Sequence, residues 1–266
     1  MLITLMLYLV LGAAAGLTAG LFGIGGGLLI VPVLIIVFQL QGVPETVLTH
    51  AAVATSLATI VVTSISSVMA HHKRGAVLWQ IFKPMSIGIV LGAFLGVKTA
   101  GLLPGAQLQI IFGLFAFAVA LQMAFSFKPS ANAELPGNPK LIFSGGVIGW
   151  GSAIFGIGGG TLTVPFLTWK KVQMQQAVAT AAACGLPIAL AGASTNIYQG
   201  WEHVDMPQWS LGYIYLPAFA GIVIASTPFA KVGAKLAHTL PADKLKKIFA
   251  LFLLIVAIRL LSSNLL

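Results

Sequence analysis

The chain has 266 residues, of which 58% are hydrophobic and 7% charged, with a mean hydropathy of +1.01. A soluble domain carries roughly 25% charged residues, so a soluble enzyme or binding module is excluded. The formal charge of +9 does not indicate a nucleic-acid partner, because in so apolar a chain Lys and Arg gather in loops and orient helices.

Eight apolar segments follow one another: 3–38, 46–70, 79–102, 107–127, 141–169, 173–197, 209–230 and 245–262. They are continuous rather than alternating, which points to transmembrane helices and away from a β-barrel. The expected class is an all-α polytopic membrane protein embedded in a lipid bilayer. Residues 1–20 lack a basic leader and have a counterpart in mid-chain, so they read as part of the mature protein.

The first segment contains Phe22-Gly23-Ile24-Gly25-Gly26-Gly27, then Leu28 to Val31 and Pro32. The fifth contains Phe155-Gly156-Ile157-Gly158-Gly159-Gly160, then Thr161 to Val164 and Pro165, displaced by 133 residues, half the chain. Each Gly weakens a helix by about 0.8–1.0 kcal/mol relative to Ala, so the repeated motif signals a functional break; the alternative is that the glycines only allow close helix packing. A dinucleotide fingerprint does not fit, since Leu28 stands where its third Gly would be. The prolines are expected to kink the arms that follow.

The duplication continues. Val53-Ala54-Thr55 matches Val178-Ala179-Thr180, and Pro104 with Leu108, Ile111, Phe112 and Phe115 matches Pro241 with Leu245, Ile248, Phe249 and Phe252. Residues 1–127 form a first repeat, the Pro/Gly/Asn-rich stretch 128–140 a linker, and residues 141–266 a second repeat. Small residues at Gly88, Gly92, Gly96 and at Gly221, Ala225 read as close helix packing.

Loop charges change sign between the halves: Glu45 against Lys170 and Lys171, and Lys73 and Arg74 against Glu202 and Asp205. The halves are therefore expected to be inverted. If all eight segments crossed once, the 14 Lys and Arg would divide almost evenly. If segments one and five each enter and return on one side, only Lys98 and Arg259 remain opposite the rest, as the positive-inside rule prefers. Segment 141–169 would span about 43 Å as one helix, too long for a ~30 Å hydrocarbon core. Each repeat is thus a Gly-broken hairpin, re-entrant or of short crossing helices, plus three transmembrane helices.

Two inverted breaks would meet near the midplane with helix N-termini aimed at one point. Such ends attract anions, and glycine lets a ligand approach the backbone. This is a recurring transporter arrangement. The candidate anion-binding residues are Gly23, Gly25, Gly26, Gly27, Gly156, Gly158, Gly159 and Gly160. Thr55, Ser56, Thr180 and Asn196 supply polar groups on the neighbouring helices. Ser and Thr can equally bond their own backbone carbonyls. Intramembrane Asp and Glu are nearly absent, so a coupling proton would travel on His50, on His71 or on the substrate. Each His also fits a plain position at the membrane boundary. Cys184 is the only cysteine, which leaves no disulfide and no cysteine metal cluster. No ATP-binding motif is present, no cofactor or metal is expected, and no catalytic set of His, Asp, Glu or Cys is clustered in the apolar runs.

The paired Gly-x-Gly-Gly-Gly turns, each running into Val-Pro, together with Ala54-Thr55-Ser56 and the duplicated layout, resemble the TauE/SafE family of sulfite exporters and related anion permeases. The resemblance covers essentially the whole chain. It implies a secondary transporter of the bacterial inner membrane that moves sulfite, sulfonates or related sulfur-containing or organic anions, and not an enzyme. It places the family's glycine motifs on the eight glycines above and its Thr-Ser step on Thr55-Ser56. In the second half that step is Thr180-Ala181, one hydroxyl fewer. An anion channel of the same architecture and a membrane enzyme or assembly factor are the competing readings. Proteoliposome flux separates the channel, and the missing catalytic cluster speaks against the enzyme.

Overall fold

The computed structural model describes residues 2–22, 26–125, 135–236 and 242–265. Gly23 and Gly25, and most of the linker 128–140, lie outside them. Among the described residues ten helices run in order: α1 Leu2–Phe22, α2 Gly27–Leu40, α3 Glu45–Lys73, α4 Trp79–Gly101, α5 Gly105–Ala124, α6 Asn138–Ile154, α7 Gly160–Trp169, α8 Met174–Gln199, α9 Leu216–Leu236 and α10 Ala242–Leu265. In a bilayer the backbone must satisfy its own polar groups, and continuous apolar runs do so as helices. Pro44 and Pro104 stand immediately before α3 and α5, where a missing N–H costs nothing.

Among the described residues, α3, α4, α5 and α8 are long and apolar enough to cross a membrane. Large hydrophobic side chains cover the outer faces, among them Leu91, Leu95, Phe143, Ile224, Leu251 and Ile255. Such a surface suits lipid. The protein is a multi-pass, overwhelmingly helical membrane protein.

Both long Gly-bearing segments are broken. The arms of the first form a hairpin: Gln41 at the end of α2 donates through Nε2 to the Tyr8 hydroxyl at 2.7 Å, near the start of α1. The turn end is marked by Gly26, which sits beside Ala15. The second arms are short. α2 has 14 residues and α7 has 10, or about 21 and 15 Å, well under a ~30 Å hydrocarbon core. Pro32 and Pro165 lie inside these arms.

The helices pair across the middle of the chain. α4 lies along α6, α1 along α9, α5 along α10 and α3 along α8. At α4–α6, Met85 meets Gly145, Ile89 meets Gly149 and Gly96 meets Trp150, so these helices run in the same direction. The Gly88, Gly92, Gly96 spacing packs here, directly against the α6 backbone. α1 and α9 are also parallel, with Gly12 on Ile222 and Gly16 on Ser226. α3 and α8 run oppositely: Leu57 packs on Gly192, and Ser64 on Gly185.

The segment 209–230 is not helical from its start. Ser210–Leu211 and Ile214–Tyr215 form a two-stranded antiparallel hairpin, and the helix begins at Leu216. Trp209 and Gly212 have φ of 69° and 56°, which no right-handed helix accommodates. The apolar composition of this stretch concealed the turn.

Candidate functional site at the paired glycine breaks

α6 ends in a Schellman motif. Gly156 takes φ 62°, its N–H donates to the Ala153 carbonyl at 3.3 Å, and Ile157 N–H donates to the Ser152 carbonyl at 3.0 Å. Glycine suits the left-handed position that this motif needs. The carbonyl of Gly156 then accepts the Ser56 hydroxyl at 2.7 Å. Ser56 is fully buried on α3.

The start of α2 meets the second break here. A Cβ at Gly27, the first residue of α2, would lie 2.6 Å from the Gly156 oxygen and 2.9 Å from Ile157 Cα. At Gly159 a Cβ would lie 2.6 Å from the Ala181 oxygen and 2.9 Å from the Gly185 nitrogen on α8. The second break is thus held between α3 and α8, with the N-terminus of α2 against it. Gly158 and Gly160 are buried in the same place. Gly26, at φ 57°, caps α2 and accepts the N–H groups of Leu29 and Ile30. By helix geometry, the first N–H groups of α2 and α7 face the breaks.

Ser152, Thr161 and Thr163 place buried hydroxyl oxygens without a hydrogen-bond partner within one helical turn of the second break. Ser152 and Thr163 are fully buried. Elsewhere helical hydroxyls return to their own backbone, as at Thr18, Thr63, Thr168 and Thr195. These three were missed in the sequence reading. The available signal was Thr161 and Thr163 standing where the first copy has Leu28 and Ile30.

Other candidates lie elsewhere or are engaged. Thr55 Oγ1 accepts the N–H of Tyr215 at the start of α9, and Thr180 Oγ1 accepts the N–H of Leu78 at the start of α4, each at 3.0 Å. These reciprocal bonds tie α3 to α9 and α8 to α4. Asn196 donates to Gly192 of its own helix at 2.9 Å and stands 11 residues from Gly185, about 16 Å along α8. His50 Nε2 is 3.1 Å from the Ala100 carbonyl oxygen, its ring faces Tyr213, and Nδ1 has no partner. It lies about 9 Å along α3 from Ser56, and His71, half-buried at the helix end, about 22 Å away. The structure gathers Gly26, Gly27, Ser56 and Gly156 to Gly160, and leaves Asn196 and both histidines apart.

Among the described residues no Lys, Arg, Asp or Glu is buried. Backbone amides, helix ends and hydroxyls form the site, an arrangement chemically suited to an anion.

Residues 8–260 match the family described as sulfite exporter TauE/SafE. A probable membrane transporter protein of Haemophilus influenzae is 41% identical over 257 residues, covering 96% of this chain and 97% of that one. Relatives described in the same words occur in Methanocaldococcus jannaschii, 29% identical over 88% of this chain and 87% of its own length, and in Xylella fastidiosa, 28% identical over 93% and 91%. With the match extending over nearly the whole chain and including both glycine motifs, the protein belongs to the TauE/SafE family of membrane transporters.

Proposed function

We propose that this chain is a secondary transporter that carries a small anion, sulfite, a sulfonate or a relative, across the inner membrane by alternating access. The anion is held between the two glycine breaks. The observation that carries this reading is the contact of Gly27 with Gly156 and Ile157: the N-terminal end of α2, just after Gly26, meets the second glycine break, far away in sequence, inside a membrane protein. Irregular backbone at membrane depth is tolerated where it is buried in protein or lines a polar path.

The halves are inverted repeats in this reading. Support comes from the opposed directions of α3 and α8, which occupy matching places in the two halves, and from the reciprocal bonds of Thr55 and Thr180. Inversion aims the N-termini of α2 and α7 at one site from opposite sides.

A bare charge at the bilayer centre costs about 2.5–3.5 kcal/mol on insertion scales. Two helix ends return roughly 0.6–4 kcal/mol together, and each hydrogen bond to a charged ligand about 1.5–3 kcal/mol. The balance permits binding without a buried cation and leaves the anion free to depart.

The test is sulfite and sulfonate flux in proteoliposomes holding the intact chain or its Gly159→Leu variant. Saturable flux lost in the variant supports the assignment. Wild-type flux in a folded Gly159→Leu protein removes the breaks from the mechanism.

A further inference from the structure

We infer that the site between the breaks is built for a singly charged anion and rejects dianions, so that an acid with two accessible ionisations crosses as its monoprotonated form. This rests on the reading of the breaks as the anion site. Its consequence is proton coupling without a coupling side chain: the proton enters on the substrate oxygen and leaves with it, and the protein holds no proton in between.

Three observations carry it. The buried polar side chains among the described residues are Ser, Thr, His50, Gln109 and Asn196, with no cation and no carboxylate. The described Lys and Arg are half-buried or exposed. The groups left unpartnered beside the second break are the hydroxyls of Ser152, Thr161 and Thr163.

Desolvation cost rises with the square of charge, so a dianion loses about four times what a monoanion loses. Attraction to fixed dipoles, here helix ends and hydroxyls, rises only in proportion to charge. Backbone amides and hydroxyls close that gap for a dianion only where many of them converge; beside the second break three hydroxyls lack partners, and no Lys or Arg is buried among the described residues. The retained proton of a monoprotonated oxyanion also needs an acceptor. The Gly156 carbonyl, already taking the Ser56 hydroxyl, has a second lone pair.

The helices around the breaks carry few titratable groups: Tyr8 on α1, Lys140 at the start of α6, Cys184 and Tyr198 on α8, and on α3 Glu45, His50, His71, His72 and Lys73. α2 and α7 carry none. A permanent monoanion therefore serves as the control for titration of the protein itself.

The experiment measures thermal stabilisation of the purified full-length protein by methanesulfonate, sulfate and sulfite across a pH series, with lumenal pH followed during sulfite uptake into proteoliposomes. Methanesulfonate should stabilise equally at every pH, and sulfate should have no effect. The apparent affinity for sulfite should fall about tenfold per pH unit above its second ionisation, and uptake should acidify an alkaline lumen. Sulfate binding as tightly as methanesulfonate overturns the inference while leaving the anion site standing. So does sulfite affinity that does not fall with pH, or a matching fall for methanesulfonate. Stabilisation by none of the three overturns the anion site as well.

Discussion

Replacing Gly27 with Ala tests the meeting of the two breaks. The new methyl group would sit 2.6 Å from the Gly156 oxygen, 2.9 Å from Ile157 Cα and 3.1 Å from Ile60 Cδ1. The first two are backbone atoms of a turn fixed by Ile157 N–H to the Ser152 carbonyl and by Ser56 to Gly156. To restore normal contact, one break must retreat by roughly 0.5–1 Å. Overpacking of this kind costs about 1–3 kcal/mol. Ala favours a helix over Gly by up to about 1 kcal/mol, and at the first helical position less, so the clash decides the sign. Gly75→Ala is the control, with φ 63° and open space around it; it strains a surface turn and leaves the breaks alone. Thermal unfolding in detergent should show Gly27→Ala destabilised. Proteoliposome flux should fall about tenfold if some 1.4 kcal/mol of anion binding is lost, with Gly75→Ala near wild type. A Gly27→Ala protein with wild-type stability and flux would show that the breaks do not meet as described.

Ser56→Ala leaves the buried Gly156 carbonyl without its hydroxyl donor and should cost about 1–3 kcal/mol in unfolding experiments. Thr55→Val and Thr180→Val each strand a backbone N–H, of Tyr215 and Leu78 respectively; each should lower stability by a similar ~1–3 kcal/mol, read by thermal denaturation. Cys184 is buried and free, so a maleimide should label it only on unfolding, and rapid labelling of native protein would contradict its placement. Gly92→Leu drives a side chain into the Gly146 backbone and should separate α4 from α6, seen as lost monodispersity in size-exclusion chromatography.

Much of the helical architecture was legible because lipid restricts the backbone to one solution and length to a narrow range. The breaks were legible because three adjacent glycines in an apolar run weaken a helix more than close packing of a single glycine requires, although Gly27 and Gly159 do also pack against backbone. The hairpin at 210–215 was not, since Trp209, Leu211, Ile214 and Tyr215 are as apolar as a helix start and only a positive φ at Trp209 and Gly212 distinguishes them. Within the site, Ser56 was visible from its place in the Thr-Ser step, but sequence could not say that its hydroxyl crosses to Gly156. Thr55, its neighbour, faces another helix altogether. A rotation of about 100° per residue separates the two, and motif reading treats them as one. Ser152 and Thr163 escaped because a helical Ser or Thr ordinarily returns to its own carbonyl, and sequence does not reveal which ones fail to.

The packing also bears on which parts can move. A rigid displacement of residues 1–127 against 141–266 would tear α1 from α9 and α4 from α6, where glycines meet backbone directly. The contacts divide the molecule differently. α1, α9 and α3 are joined by Gly12, Gly16 and the Thr55–Tyr215 bond. α6, α4 and α8 are joined by Gly88 to Gly96 and the Thr180–Leu78 bond. Each unit draws helices from both halves, and the two face one another along the antiparallel α3–α8 contact. The second break straddles that seam: Gly156 is bonded to Ser56 of α3, while Gly159 rests on Ala181 and Gly185 of α8. Any slip between the units is therefore felt between Gly156 and Gly159. Glycine there can change φ and ψ at little cost, so a small movement of large, well-packed units can reshape the proposed anion site without unpacking the glycine-lined helix pairs.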